Sequence, residues 1–262
     1  MTDDSARSSL VLLYNVSREL ARSLDLREVL PRVLILSVKN VEAERGTLIV
    51  LGENGKVVDA AIVINGQLIS NTSQQLQPIL DQGLAGWVLR KRQPVLISDT
   101  SGDERWLRRD DDDRLKTGPK SAICIPLMAG EQMVGVLTLV HSIPNFFKQD
   151  HLELLQAIAD QAGVAISNAL LYDTLQTATR RYRELFAENI NPLILTTWDG
   201  RILEANHAAS SATGFTLTEL TDQTIERLEP LSLKMMHEKE EDLHNGAVIF
   251  FEGEFIGKSE KK

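Results

Sequence analysis

The 262-residue sequence predicts an α+β protein: an antiparallel sheet with flanking helices, a long helix, and then a second, smaller α+β unit. Three observations carry this. Apolar and β-branched runs come in pairs separated by Gly- and Asn-containing turns, the pattern of hairpins. Residues 148–188 contain no proline and a single glycine, Gly163, with apolar residues at steps of three and four, the pattern of one long helix. After Asn191-Pro192, which ends that helix, short strand and helix signals resume around Asp199-Gly200.

Taken in order, Leu10, Leu13, Val16, Leu20 and Leu24 are spaced for an amphipathic helix over 8–24. Asp25 is suited to cap a second helix, with Glu28 three residues on as in a capping box. That helix runs to about Asn40, and Pro31 inside it predicts a kink or an internal start near Val29. Gly46–Leu51 and Lys56–Ile64 flank Gly52-Glu53-Asn54-Gly55 and read as a hairpin. Pro78–Arg92 reads as a helix, Pro94–Ile97 as a short strand, and Ser101–Gly118 as a polar loop with one helical turn near Trp106. Ser121–Met128 and Gln132–His141 form a second hairpin across Ala129-Gly130-Glu131.

In the long helix, Leu155, Ala159, Ala162, Ile166 and Ala169 follow the spacing of a coiled-coil seam. The expectation is a double role: the first half packs on its own sheet and the remainder meets a second chain in a homodimer. Beyond it, Pro192–Trp198 and Arg201–Ala205 are strands joined by a type I′ turn at Asp199-Gly200. Helices over His207–Ala212, Leu217–Leu228 and Ser232–His244 follow, then a strand over Ala247–Ile256.

Composition narrows the function. With 43% hydrophobic and 25% charged residues the chain is globular, not disordered. The net charge of −9 without a basic stripe argues against a nucleic-acid partner. The single cysteine, Cys124, excludes an internal disulfide and fits a reducing compartment. The acidic N-terminus does not read as a signal peptide, and no apolar run is seen as long enough to span a bilayer. The expectation is a cytoplasmic protein with no membrane partner.

The stretch from Gly83 to Tyr172 carries GLAGWV, QPVLISD, DERW, SAICIPLMAGEQMVGVLTLVHS and FFKQDHLELLQAIADQAGVAISNALLY in that order. In this it resembles the GAF domain, a small-molecule- and light-sensing module of signalling proteins, over about Ser8–Tyr172. The resemblance implies a pocket above the sheet and beneath the loop Ser98–Gly118, with Trp87, Asp99, Trp106 and Ser121 nearest it. It leaves the ligand and any cofactor unassigned. Cyclic-nucleotide GAF domains carry Asn-Lys after the last strand, and a Phe followed by Asp-Glu. Here His141-Ser142 replaces the first pair, and Phe146 and Asp150 persist but His151 takes the last position. Asp150 then reads as N-cap of the long helix. Bilin attachment would need an accessible cysteine, and Cys124 lies mid-strand among apolar residues. Haem would need an axial histidine, and none lies between Trp87 and Ser121. The Asp110–Asp113 run reads as a solvated loop, and no metal spacing emerges.

Tyr182–Leu220, YRELFAENINPLILTTWDGRILEANHAASSATGFTLTEL, resembles the start of a PAS domain through the Asp199-Gly200 turn, Glu204 and Asn206. Asn206 would cap the next helix, and His237 reads as exposed. The domain expectation is therefore 1–172 GAF-like, 148–190 a long linker helix, and 182–262 a PAS-like unit with fewer strands than the family's five. No catalytic constellation emerges. The functional expectation is a regulatory, small-molecule-binding and dimerising sensor of a bacterial signalling protein. A histidine kinase or cyclic-dinucleotide enzyme would act as output beyond Lys262. A ligand-free dimerisation scaffold is the alternative.

Overall fold

The computed structural model describes residues 14–20, 22–52, 54–69, 80, 83–107, 118–245, 248 and 256–258. The chain divides into two compact units, Met1–Thr174 and Leu175–Lys262.

In the first unit, α1 covers 14–20 and buries Val16 and Leu20. Helix α2, Leu26–Asn40, starts at Asp25, whose carboxylate accepts from Arg27 N–H at 2.9 Å. The expected capping box is not made: the Asp25 carboxylate accepts Arg27 N–H and not Glu28 N–H, Ser23 Oγ accepts Asp25 N–H, and Glu28 pairs with Arg32 one turn on. Pro31 does not restart the helix: α2 runs through it without a break. Strand β1 (Arg45–Leu51) pairs antiparallel with β2 (Val57–Ile64), and Gly55 at φ 71° makes the turn between them. A further strand, β3 (Gln67–Ile69), escapes the sequence reading. Its signal was present: Asn65-Gly66 have φ 48° and 79°, and Ile64 pairs with Gln67, a two-residue hairpin of the Asn-Gly kind.

Helix α3 spans Leu84–Lys91, shorter than the expected 78–92 helix, part of which lies outside the described residues. Strands β4 (Val95–Ile97), β5 (Ser121–Ala129) and β6 (Gln132–His141) complete a six-stranded sheet of order β3-β2-β1-β6-β5-β4. Every neighbouring pair is antiparallel.

Alternation along the strands gives the sheet two faces. Leu48, Val50, Ile123, Ile125, Leu137 and Leu139 meet α2 and the long helix α4, Gln149–Phe186, in one core. Ile49, Leu51, Ala122, Cys124 and Val136 face the other way, toward α3. Two glycines set the approach of the helices. A Cβ at Gly163 would collide with the Met128 carbonyl of β5, and one at Gly86 with the Leu80 carbonyl.

The anticipated coiled-coil seam is corrected here. Leu155, Ala159, Ala162, Ile166 and Ala169 are all buried within the first unit, four of the five in the core against the sheet. They are unavailable to a second chain. Asp150 is not the N-cap of α4: it is the helix's second residue, and the Lys148 carbonyl accepts the first helical bonds while His151 Nδ1 accepts Lys148 N–H at 3.3 Å. By length and composition α4 could cross a bilayer, contrary to the sequence reading, but 39% of its most apolar 18-residue window is buried in the protein.

In the second unit, β7 (Ile194–Thr196) pairs antiparallel with β8 (Ile202–Ala205). The connection is not type I′. Gly200 alone has positive φ, at 81°, Gly200 N–H bonds to Thr197 O, and Thr197 N–H bonds to Arg201 O. This is a three-residue loop closed by a left-handed glycine. Helix α5 (His207–Thr213) is ended by Gly214 at φ 74°. The expected 217–228 helix is two, α6 (Leu217–Thr221, with a complete capping box from Thr216 and Glu219) and α7 (Ile225–Leu228). The expected 232–244 helix is likewise divided at Lys239 into α8 (Pro230–Glu238) and α9 (Glu240–His244). Most of the expected 247–256 strand lies outside the described residues.

Candidate functional site

On the α3 side of the sheet the alternation places Arg45, Thr47 and Ile49 of β1 beside Thr138 and Val140 of β6. With Gly83, Leu84 and Ala85 at the start of α3, and Trp106 and Leu107 from the loop, they line a cleft of about 580 Å³, open mouth included. The walls are mainly apolar. The polar lining residues are Arg45, Thr47 and Thr138, all on strands, so the sheet register fixes their backbone positions.

Of the four residues the resemblance placed nearest the pocket, only Trp106 lines this cleft. Trp87 is half-buried on the α3 core with the Arg105 guanidinium 4.8 Å from its ring centroid. Asp99 is exposed and caps a single 3₁₀ turn, Thr100–Gly102, by accepting Ser101 N–H at 2.8 Å. That bond holds its carboxyl below the usual range. Ser121 is fully buried and braces three segments: its hydroxyl lies 3.2 Å from the Ile97 carbonyl, to which it donates, and accepts Phe147 N–H at 3.3 Å. Asp99 and Ser121 therefore build the frame and not the cleft.

Arg105 is absent from the sequence-derived candidates, although it stands inside the DERW run. Its guanidinium makes a two-pronged ion pair with Asp103, Nε at 2.9 Å and a terminal nitrogen at 2.6 Å. The bond from Arg105 lowers the Asp103 pKa, and that from Asp103 raises the arginine's. Asp103 also accepts Arg105 N–H, and its carbonyl accepts Trp106 N–H at 3.0 Å. Asp103 thus orients an arginine that stacks on Trp87 of α3, while setting the turn that delivers Trp106 to the cleft. The helical turn anticipated near Trp106 is this one, a single hydrogen bond. The base of the loop is closed by Thr100, whose N–H bonds to Lys120 O and whose hydroxyl accepts Lys120 N–H, both at 2.9 Å.

Cys124 is fully buried, its Sγ 3.2 Å from the Thr138 hydroxyl, and burial pushes its pKa up to about 12. Its neutral thiol behaves as a small core residue. Among the described residues no group of three His, Cys, Asp or Glu side chains could hold a metal. His141 is buried, stacks on Phe146 at 3.5 Å, and accepts Ile143 N–H at Nδ1. His237 is exposed.

The second unit has a different kind of hub. Asn206 is 1% exposed and satisfies five partners. Its Oδ1 accepts Ala209 N–H, capping α5, and Leu193 N–H, each at 2.9 Å. Its Nδ2 donates to the carbonyls of Phe186, Asn189 and Asn191 at 3.0, 3.1 and 2.8 Å. The sequence anticipated the cap. The four remaining bonds, which fasten the segment between the end of α4 and the start of β7 to the β8–α5 junction, come from residues 13 to 20 positions away.

The GAF domain family model matches residues 25–166, more than half of the sequence. The chain belongs to the GAF domain family. Among its relatives, a probable 3′,5′-cyclic phosphodiesterase, pde-5 of Caenorhabditis elegans, is 23% identical over 183 residues, covering 65% of this chain and 25% of that protein. A Nif-specific regulatory protein of Azospirillum lipoferum is 26% identical over 140 residues, covering 53% of this chain and 22% of that protein. The GAF protein thus spans a quarter or less of the length of either relative. A solved GAF domain from a Coxiella burnetii phosphoenolpyruvate-protein phosphotransferase has 16% identity and a TM-score of 0.49, covering 64% of this chain and 98% of the other. GAF domains occur in signalling regulators such as these Nif regulatory proteins and phosphodiesterases.

Proposed function

We propose that this protein is a regulatory sensor module whose cleft above β1 and β6 binds a small ligand without converting it. The observation that supports this is the cleft's composition: mainly apolar walls with Trp106 at the side, and Arg45, Thr47 and Thr138 on adjacent strands. That set suits a compact, apolar-bodied molecule with a polar edge directed at the strand residues Arg45, Thr47 and Thr138. The neutral, buried Cys124 supports binding over thiol chemistry.

In this reading the loop carrying Trp106, tied to α3 by the Asp103–Arg105–Trp87 contact, closes over the ligand. Occupancy then biases the packing of the sheet against α4, and the signal continues along that helix. The ligand must bind one packing better than the other, since equal affinity would shift nothing. We read the second unit as a PAS-like domain; the β7–β8 pair, the Asp199-Gly200 loop and the Asn206 hub support it. The protein would act in a bacterial signalling system, with the regulated activity carried by other segments or partners.

The test is a native mass spectrum of freshly purified protein beside the Thr47→Trp variant, which fills the cleft. Extra mass on the wild type that is absent from the variant supports the reading. Bare chains, with no change in melting temperature across a panel of small carboxylates, nucleotides and aromatic acids, would sink it.

A further inference from the structure

Two histidines pin the connection between β6 and α4, and each does so through an unprotonated ring nitrogen. His141, the last residue of β6, is 8% exposed and its Nδ1 accepts Ile143 N–H at 3.1 Å. His151, in the first turn of α4, accepts Lys148 N–H at Nδ1, 3.3 Å away. A nitrogen that accepts carries no proton, and a proton added there makes it a donor. Phe146 contacts both rings, stacked on His141 with centroids 3.5 Å apart and on His151 at 6.1 Å. Glu44, just ahead of β1, reaches the same place. Its carboxylate accepts Ser142 N–H at 3.0 Å and the Ser142 hydroxyl at 2.9 Å, and one of its oxygens is 4.0 Å from His141 Nε2. The far end of the connection is held separately. Asn145, at a left-handed φ of 60°, donates its N–H to Ser98 O at 2.7 Å, and Phe147 N–H bonds to Ser121 Oγ at 3.3 Å.

We infer that His141 is a proton-operated latch on this connection. A proton added at Nδ1 expels Ile143 N–H, because two donors would then face each other. The imidazolium so formed draws the Glu44 carboxylate toward Nε2, since a buried charge is costly unless paired, and Glu44 then leaves Ser142. The ring itself stays, because the face of Phe146 attracts a cation. One proton thus exchanges the bonds to Ser142 and Ile143 for a single ion pair, while Asn145 and Phe147 keep the rest of the connection in place. The other charged and titratable residues placed around this corner are Arg45 at the start of β1, Lys120 next to Ser121 (the register partner of His141), Lys148 of the connection, and Asp150 and His151 of α4. Of these only Asp150 is anionic, and Glu44 is the carboxylate already in reach of Nε2. Strand β6 carries Thr138 and Val140 of the cleft, so the latch sets how the cleft strand enters α4. The inference does not depend on a ligand in the cleft.

The test is amide hydrogen exchange of the full chain, followed residue by residue by NMR between about pH 8 and about pH 5.5, within the range where histidine changes charge. Rates are corrected for the pH dependence of the chemical step. In the wild type, protection of Ser142 and Ile143 should fall by ~10-fold in acid, the factor that one lost hydrogen bond brings, while Asn145 and Phe147 keep theirs. In His141→Asn the carboxamide oxygen replaces Nδ1 as acceptor and takes up no proton, so protection of both amides should not vary with pH. In Glu44→Gln the neutral side chain is not drawn to the imidazolium, so Ser142 should stay protected while Ile143 still loses protection. Constant protection of Ile143 in the wild type would overturn the proposal, as would a fall that survives in His141→Asn. A Ser142 response that persists in Glu44→Gln would overturn the exchange of partners. If His141→Asn misfolds, the wild type and Glu44→Gln decide the matter.

Discussion

The two faces of the six-stranded sheet use the same strands to different ends. One face is sealed by α2 and α4, whose apolar stripes leave Leu34, Leu48, Leu137, Leu139, Leu155 and Ile158 with no more than 1% exposure. The other is covered by the eight-residue α3 and a loop, and keeps a cleft over the ends of β1 and β6. Adjacent residues divide between them: Leu48 and Leu139 face the sealed core, while Thr47 and Val140 face the cleft. The cleft in this fold therefore lies where helical cover runs short, while the sealed face carries the closed core.

The largest effect should come from charging the sealed face. Ile166→Asp buries a carboxylate among Leu and Ala side chains and should cost about 4 kcal/mol or more. Denaturant unfolding checks this, and a midpoint near wild type would show that α4 does not lie on the sheet as described. The neighbouring pair Leu139→Ala and Val140→Ala sharpens the contrast. The first opens a void in a closed core and should cost about 3 kcal/mol, while the second enlarges an existing cleft and should cost about 1 kcal/mol or less. Equal losses would erase the distinction between the faces.

Asn206→Ala tests the second unit, where a hydrogen-bond hub replaces an extensive core. Losing five bonds should cost about 2–3 kcal/mol, much of it from buried carbonyls and amides left unpaired. Amide exchange should accelerate around residues 187–210, with β1 and β6 unaffected; a uniform change across both units would contradict this.

Arg105→Ala should have the smallest effect, below about 1 kcal/mol, with a shift in tryptophan emission as Trp87 loses its cation. Its pH dependence has a definite sign. The folded-state pKa of Asp103 is depressed, so the stabilisation is present above the ordinary carboxylate range and is lost as pH falls through the lowered value. The melting difference between wild type and Arg105→Ala should accordingly close in acid, and a difference that persists there would detach it from the Asp103 pair.

Much of the fold was legible in the sequence. The β1–β2 and β5–β6 hairpins of the main sheet follow from β-branched runs around glycine turns, and the Asp25 and Asn206 caps follow from side-chain chemistry within three residues. Local signals also misled. Glu28 pairs with Arg32 and closes no capping box, Asp150 lies inside α4 and not at its cap, and Asp199-Gly200 offered a type I′ turn that the bulged register at Leu195 and Thr196 does not use. The cleft was less legible. DERW marked the right loop, but Arg105 gains its role from Trp87, 18 residues back, and Arg45, Thr47 and Thr138 carry no motif at all.

By itself the sequence determined the periods: two along β1 and β6, and between three and four along α4. Those periods follow from local backbone geometry, which every residue obeys wherever it lies. Which phase of each period is buried was decided only by tertiary structure. Along α4 two stripes share nearly the same spacing, and the sequence reading gave the Leu155–Ala169 seam a double role, against its own sheet and against a partner chain. The sheet, brought close to the helix by Gly163 against Met128, had already covered that stripe and left Val164, Leu171, Leu175 and Leu185 exposed. Spacing fixes which residues share a face, and only the surface that arrives opposite decides what the face is for.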